Sequence, residues 1–147
     1  MNDSTPATPA PKWYVPVVIL ALLWNLLGCV MFAFELFALD MAIASMTEPQ
    51  QEWARSTPGW IYVIYAIGVT TGVAGSIGLL ARKTATTTLF AISLVAVVVQ
   101  MTYTMGIAGG FEVMGPSGLI MPAVVVVIAA LLFGLSRFGK KAGWLNH

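Results

Sequence analysis

The sequence predicts an all-α polytopic membrane protein with four transmembrane helices, and three observations carry that expectation. Residues 13–34, 59–81, 88–109 and 119–135 contain no Asp, Glu, Lys, Arg or His. Crossing a bilayer takes about 20 mainly apolar residues, so all four stretches are long enough, the last at the short end. Hydrophobic residues fill 59% of the 147 positions and charged residues only 9%, against about 25% charged in soluble domains. Finally, four crossings place Lys12, Arg82, Lys83, Arg137, Lys140 and Lys141 on one side, and Arg55 with Asp40, Glu48, Glu52 and Glu112 on the other. The positive-inside rule then sets both termini and the short 82–87 link in the cytoplasm.

The elements follow in order. Residues 1–11 (MNDSTPATPAP) are polar and rich in Pro and Thr, a composition that reads as a disordered cytoplasmic tail. Lys12, Trp13 and Tyr14 mark an interface, and Pro16 suits a first helical turn. The transmembrane domain, 12–138, opens with a helix over about 13–34. Ala42-Ile43-Ala44 resembles a signal-peptide cleavage site, but this helix exceeds the roughly 7–15 residues of a signal core and reads as uncleaved. Residues 36–46 stay apolar and would extend it by about two turns.

Thr47-Glu48-Pro49-Gln50 then carries the marks of a helix start: an N-cap, an acidic first turn, an early proline and a capping-box partner. It predicts a short amphipathic helix over about 48–56 in the first outer loop, ended by Pro58, with Trp53 and Trp60 at the membrane surface. The second and third transmembrane helices cover about 59–81 and 88–109. The 110–118 segment, with Gly110, Gly115, Pro116 and Gly118, reads as a plain turn. The fourth covers about 119–137, with Pro122 one turn inside its outer end, where proline costs little. A basic cytoplasmic tail, 139–147, follows, and Trp144 beside the basic 137–141 segment suits an interfacial anchor.

Several function classes drop out. A net charge of +1, with no basic cluster among aromatics, gives no nucleic-acid signal. The lone Cys29 excludes an intrachain disulfide and a cysteine-rich metal site, and the lone His147 leaves no histidine cluster. No metalloprotease, nucleophile-elbow, P-loop or dinucleotide motif occurs, so neither an enzyme nor a cofactor is expected.

What remains are small and polar residues inside apolar helices. Helices in lipid pack through small residues and through polar side chains that need partners. Gly68, Gly72, Gly75 and Ser76 form a small-residue face on the second helix, suited either to intrachain packing or to a homodimer contact. Asn25 lies mid-way along the first helix. On the third, Ser93, Gln100 and Thr104 share a stripe with Tyr103 beside it. Tyr65 aligns with Gly72 and Ser76. These side chains should face inward, where Asn25 and Gln100 either bond to each other or to backbone and fix the packing, or line a polar cavity for a solute. Glu35 is the one carboxylate close to a span. A helix rises about 28 Å from Pro16 to Glu35, nearly the roughly 30 Å hydrocarbon core. Glu35 is therefore expected at the outer interface, within reach of water, which argues against proton coupling.

The order W-Y-V-P (13–16), L-L-W-N-L-L-G (22–28), M-T-E-P-Q-Q-E-W (46–53), T-P-G-W (57–60), G-L-L-A-R-K (78–83) and S-L-V-A-V-V-V-Q (93–100) resembles a group of small four-helix bacterial inner-membrane proteins. These are commonly labelled sugar transporters or hypothetical membrane proteins. The resemblance implies a multi-pass protein of the bacterial inner membrane and a small polar solute such as a sugar. Three-helix sugar porters carry a Pro-Gln pair inside a membrane helix, whereas Pro49-Gln50 lies in a loop. Small multidrug exporters carry a glutamate mid-way along helix one, where this chain has Asn25. Two readings therefore stand: a transporter of a small polar solute, or an accessory subunit of a larger membrane complex, with the 47–56 helix as its docking surface.

Overall fold

Four long helices dominate the computed structural model, which describes residues 9–145. The disorder expected for the N-terminal tail falls outside the described residues at positions 1–8. Its last residues are packed: Ala10 lies against the core, and Pro11 accepts a 3.0 Å hydrogen bond from the Tyr14 amide.

The chain runs α1 (Tyr14–Phe37), α2 (Leu39–Ala42), α3 (Glu48–Arg55), α4 (Gly59–Leu80), α5 (Thr86–Met101), a π-helical turn (Thr102–Ile107), α6 (Gly110–Met114), a 3-10 turn (Pro116–Leu119) and α7 (Ile120–Ala142). α1, α4, α5 with its π-turn, and α7 with the preceding 3-10 turn are each long and apolar enough to cross a membrane. Their outer faces carry exposed Leu20, Leu23, Val30, Val63, Val95 and Leu131. Facing water this surface would be prohibitive, but facing lipid it costs nothing.

Several boundaries differ from the sequence expectation. α1 does not continue through residues 36–46. It stops at Phe37 because Ala38 leaves helical geometry (φ −136°, ψ 44°), and only the single turn α2 follows. The 110–118 segment is not a plain turn, since α6 and the 3-10 turn fold within it. α7 runs through Ala142, so most of the basic tail's start is helical. It ends on Gly143, whose left-handed backbone (φ 83°) lets the Trp144 amide reach back to the Gly139 carbonyl at 2.8 Å. Trp144 and Leu145 are thereby buried against the apolar cluster.

Ahead of α3, the Thr47 hydroxyl accepts from the Gln50 amide while Gln50 Oε1 accepts from the Thr47 amide, closing a capping box. The Gln50 side chain also donates to the Val113 carbonyl at 3.3 Å, joining α3 to α6.

The helices pack in sequence, α1 on α4, α4 on α5 and α5 on α7, while α1 and α7 have little direct backbone contact. α4 is the centre, and its inner face is nearly all small. A Cβ at Gly75 would meet the Phe90 ring at 3.0 Å, and one at Gly78 would meet Thr86 Oγ1 at 2.9 Å. At Gly72 it would overlap the Asn25 side-chain amide. The missing side chains thus set the distances between backbones. Hydroxyls use that proximity to reach carbonyls: Ser93 donates to Gly68 at 2.8 Å, and Thr86 donates to Gly75.

At the end where α1 begins and α7 finishes, Tyr14, Val18, Ala21, Leu79, Phe90, Leu132, Trp144 and Leu145 form the main apolar cluster. The fully buried Tyr14 donates its hydroxyl to the Leu79 carbonyl at 2.7 Å. The Arg82 guanidinium lies 4.5 Å above the Tyr14 ring, and Trp144 meets Trp13, Tyr14 and Phe138 edge-on with centroids 5.2–5.7 Å apart. This cluster joins α1 to α7 at one end only.

Gly72→Ala should lower stability by about 1–3 kcal/mol, since the Asn25 amide must move out of the new methyl's place. Gly134→Ala, where a Cβ meets nothing within 4 Å, should be neutral. Thermal unfolding of both variants in one detergent checks the pair.

Candidate functional site

Because α1 and α7 converge only where α1 begins and α7 finishes, the four long helices enclose a cavity of about 470 Å³ toward the other end. That lies within the roughly 300–1,000 Å³ usual for small-molecule sites. Phe90 and Leu132, which belong also to the apolar cluster, form its floor. Ile43, Met46, Trp53 and Ala54 from the 38–57 connection form its roof. The wall includes the exposed Leu27 and Met31 of α1 and Met121 of α7. The cavity therefore meets the lateral surface along the α1–α7 seam.

Asn25, Glu35, Tyr65, Ser93, Gln100 and Thr104 all line this cavity. Three helices bring them together: α1 contributes the first two, α4 contributes Tyr65, and α5 with its π-turn contributes the rest. Tyr103 does not join them. Its ring packs edge-on against Trp60 at 4.7 Å, away from the lining. The π-turn, closed by the 2.7 Å bond from the Ala108 amide to the Tyr103 carbonyl, was not expected from sequence. Such a turn inserts one extra residue per turn and so re-aims the side chains that follow it. Here Thr104 and Met105 face inward with Gln100 and Met101.

Within this set, some polar groups are already used by the fold. Asn25 Nδ2 donates to the Ala21 carbonyl at 2.8 Å and to Ser76 Oγ at 3.2 Å, while Ser76 Oγ donates to the Gly72 carbonyl at 2.9 Å. Ser93 is bonded to Gly68, and Thr104 Oγ1 donates to the Gln100 carbonyl at 2.9 Å. Among the described residues Asn25 bonds the Ala21 carbonyl and Ser76, and no bond joins it to Gln100. The Gly68, Gly72, Gly75 and Ser76 face is wholly buried against α1 and α5 of the same chain.

Other groups are spare. Among the described residues, the Gln100 amide, the Glu35 carboxylate and the Tyr62 and Tyr65 hydroxyls make no hydrogen bond or ion pair. Glu35 is an exposed residue that borders the cavity. Its depth along α1 puts it near the edge of the span. The structure adds the direction it faces, which depth along a helix does not reveal. Asp40, five residues on, instead pairs with Arg55 at 2.5 Å on the exposed surface.

Sequence reasoning missed Trp24, Tyr62 and Trp53, and the methionines Met31, Met46, Met101, Met105 and Met121. A helical projection from Glu35 gives no handle on Tyr62, which comes from another helix. The Trp53 ring packs over Gly110, where an added Cβ would meet Trp53 Cζ2 at 2.7 Å, and it also lines the cavity. Among the described residues, no group of His, Cys, Asp and Glu is arranged to hold a metal.

Comparison with protein-family models, with curated proteins and with solved structures finds no match for this chain.

The two mid-helix amides should respond differently to removal. Asn25→Leu breaks an interhelical bond and should cost about 1 kcal/mol. Gln100→Leu removes an amide with no partner and should leave unfolding unchanged or slightly raise its midpoint. Equal losses from both changes in a thermal or denaturant titration would contradict this assignment.

Proposed function

We propose that this chain is a multi-pass protein of the bacterial inner membrane that takes a small solute into the cavity between its helices, as a transporter. The observation that carries the reading is the set of unpartnered polar groups, Gln100, Glu35, Tyr62 and Tyr65, held on the wall of an otherwise apolar and aromatic cavity. Polar groups left spare inside an apolar helix set cost stability unless a ligand or water uses them. The resemblance to small inner-membrane proteins labelled sugar transporters points the same way.

The distribution of charge supports an orientation. Lys12, Arg82, Lys83, Arg137, Lys140 and Lys141 accompany the termini and the α4–α5 link, whereas Arg55 accompanies the 38–57 connection. With the termini cytoplasmic, α3 and the roof of the cavity face outward. In a Cys29→Ser background, a cysteine at Thr47 should react with a membrane-impermeant maleimide in intact cells, and one at Lys140 only after lysis. The reverse pattern would invert the topology.

Native mass spectrometry of the chain extracted from its own membrane tests the transport reading. The expected result is a reproducible small-molecule adduct, lost in Ala129→Phe, which narrows the cavity from α7, with circular dichroism checking that the variant is folded. A stoichiometric complex with a larger membrane protein and no adduct would instead establish the accessory-subunit reading.

A further inference from the structure

The chemistry of the lining narrows the solute beyond the reading above, on which this inference rests. We infer that the cavity binds a small organic cation with an apolar body, its positive head held by Glu35 between Tyr62 and Tyr65.

Charge comes first. Glu35 is the one charged side chain in the lining, which contains no Lys, Arg or His. Among the described residues no cation pairs with it, although the nearby Asp40 has Arg55. A lone carboxylate beside a wall of low polarity attracts a positive group more strongly than it would in open water, because its field is screened less. An anionic solute would be repelled by it.

Aromatic content comes second. Tyr62 and Tyr65 are one turn apart on α4, and both line the cavity that Glu35 borders. The Tyr65 ring is held by Phe32 with centroids 5.0 Å apart. Ring faces beside a carboxylate favour a positive head, and a diffuse one most of all. The five methionines supply flexible, polarisable contact for an apolar body.

Third, Asn25, Ser93 and Thr104 already donate within the chain, so these three offer a solute only acceptor oxygens, which suit a positive head. Finally, the lateral seam between α1 and α7 suits a solute that partitions into the bilayer and enters from the side, because Leu27, Met31 and Met121 border it.

The test uses the full chain in lipid nanodiscs and two probes of the same shape, phenyltrimethylammonium and the neutral tert-butylbenzene. Quenching of tryptophan fluorescence reads binding, since Trp24 and Trp53 lie on the cavity wall, with empty nanodiscs correcting for partition. The expected result is saturable binding of the cation, weakened about tenfold or more by Glu35→Gln. Binding of tert-butylbenzene should be the same in both proteins. Glu112→Gln, which changes a carboxylate outside the lining, should leave the cation's affinity unchanged, and circular dichroism checks that Glu35→Gln is folded. If both probes bind equally and Glu35→Gln changes neither, the cation inference falls while the cavity reading stands. Saturable glucose binding in preference to the cation would have the same meaning. If no probe binds the wild-type chain, both fall together.

Discussion

Close approach of backbones along α4 is the constraint on which the rest of the fold depends. In the bilayer setting proposed for this chain, an apolar side chain gains nothing by turning inward, since lipid is as apolar as its neighbours. Helices then associate through dispersion and through polar groups that reach a partner, and both need short distances. Gly68, Gly72, Gly75 and Gly78 provide them by carrying no side chain toward α1 and α5. The approach brings the Ser93 and Thr86 hydroxyls within reach of α4 carbonyls, and Asn25 within reach of Ser76. Each such bond is worth only about 0.6–2 kcal/mol, so the helix contacts rest on several of them acting together.

The cavity follows from where that close packing stops. α4 has two neighbours and α5 has two, but the first and last long helices are not drawn together by any comparable small-residue face. They meet only where Tyr14 and the folded-back Trp144 fill the space between them. Beyond that aromatic plug the helices diverge, and large side chains from the 38–57 connection cover the gap without filling it. A tightly packed scaffold at one end and a recess at the other is the arrangement expected of a site built on rigid elements.

Within the recess, polar residues divide by what they touch, not by residue type. Asn25 and Gln100 look equivalent as lone amides in apolar helices, yet one clasps α1 to α4 and the other has no partner. Asp40 and Glu35 are both acids near the end of α1. One is neutralised by Arg55 on the surface, and the other faces the cavity with the tyrosines. These contrasts give the site its proposed chemistry: a single negative charge, ring faces and adaptable thioethers, with most hydroxyls already engaged.

The sequence alone determined the four long apolar helices, because charge-free runs of this length have few other uses and need no partner to be recognised. It also determined the α3 start, since the Thr47–Gln50 box is a local interaction between residues three apart. The inward stripe of Ser93, Gln100 and Thr104 was legible from helical periodicity, and so was the small-residue face of α4. Tertiary structure alone decided where those stripes point. It ended α1 at Ala38, widened α5 into a π-turn, and carried α7 on to Gly143 so that Trp144 returns to the core. It also set Tyr62 and Trp53 around the space that Glu35 faces, and turned Tyr103 away toward Trp60. Periodicity fixes the angle of a residue about its own helix axis. The position of a second helix relative to the first depends on contacts far apart in the chain, and a single sequence carries those only as a sum of small packing energies.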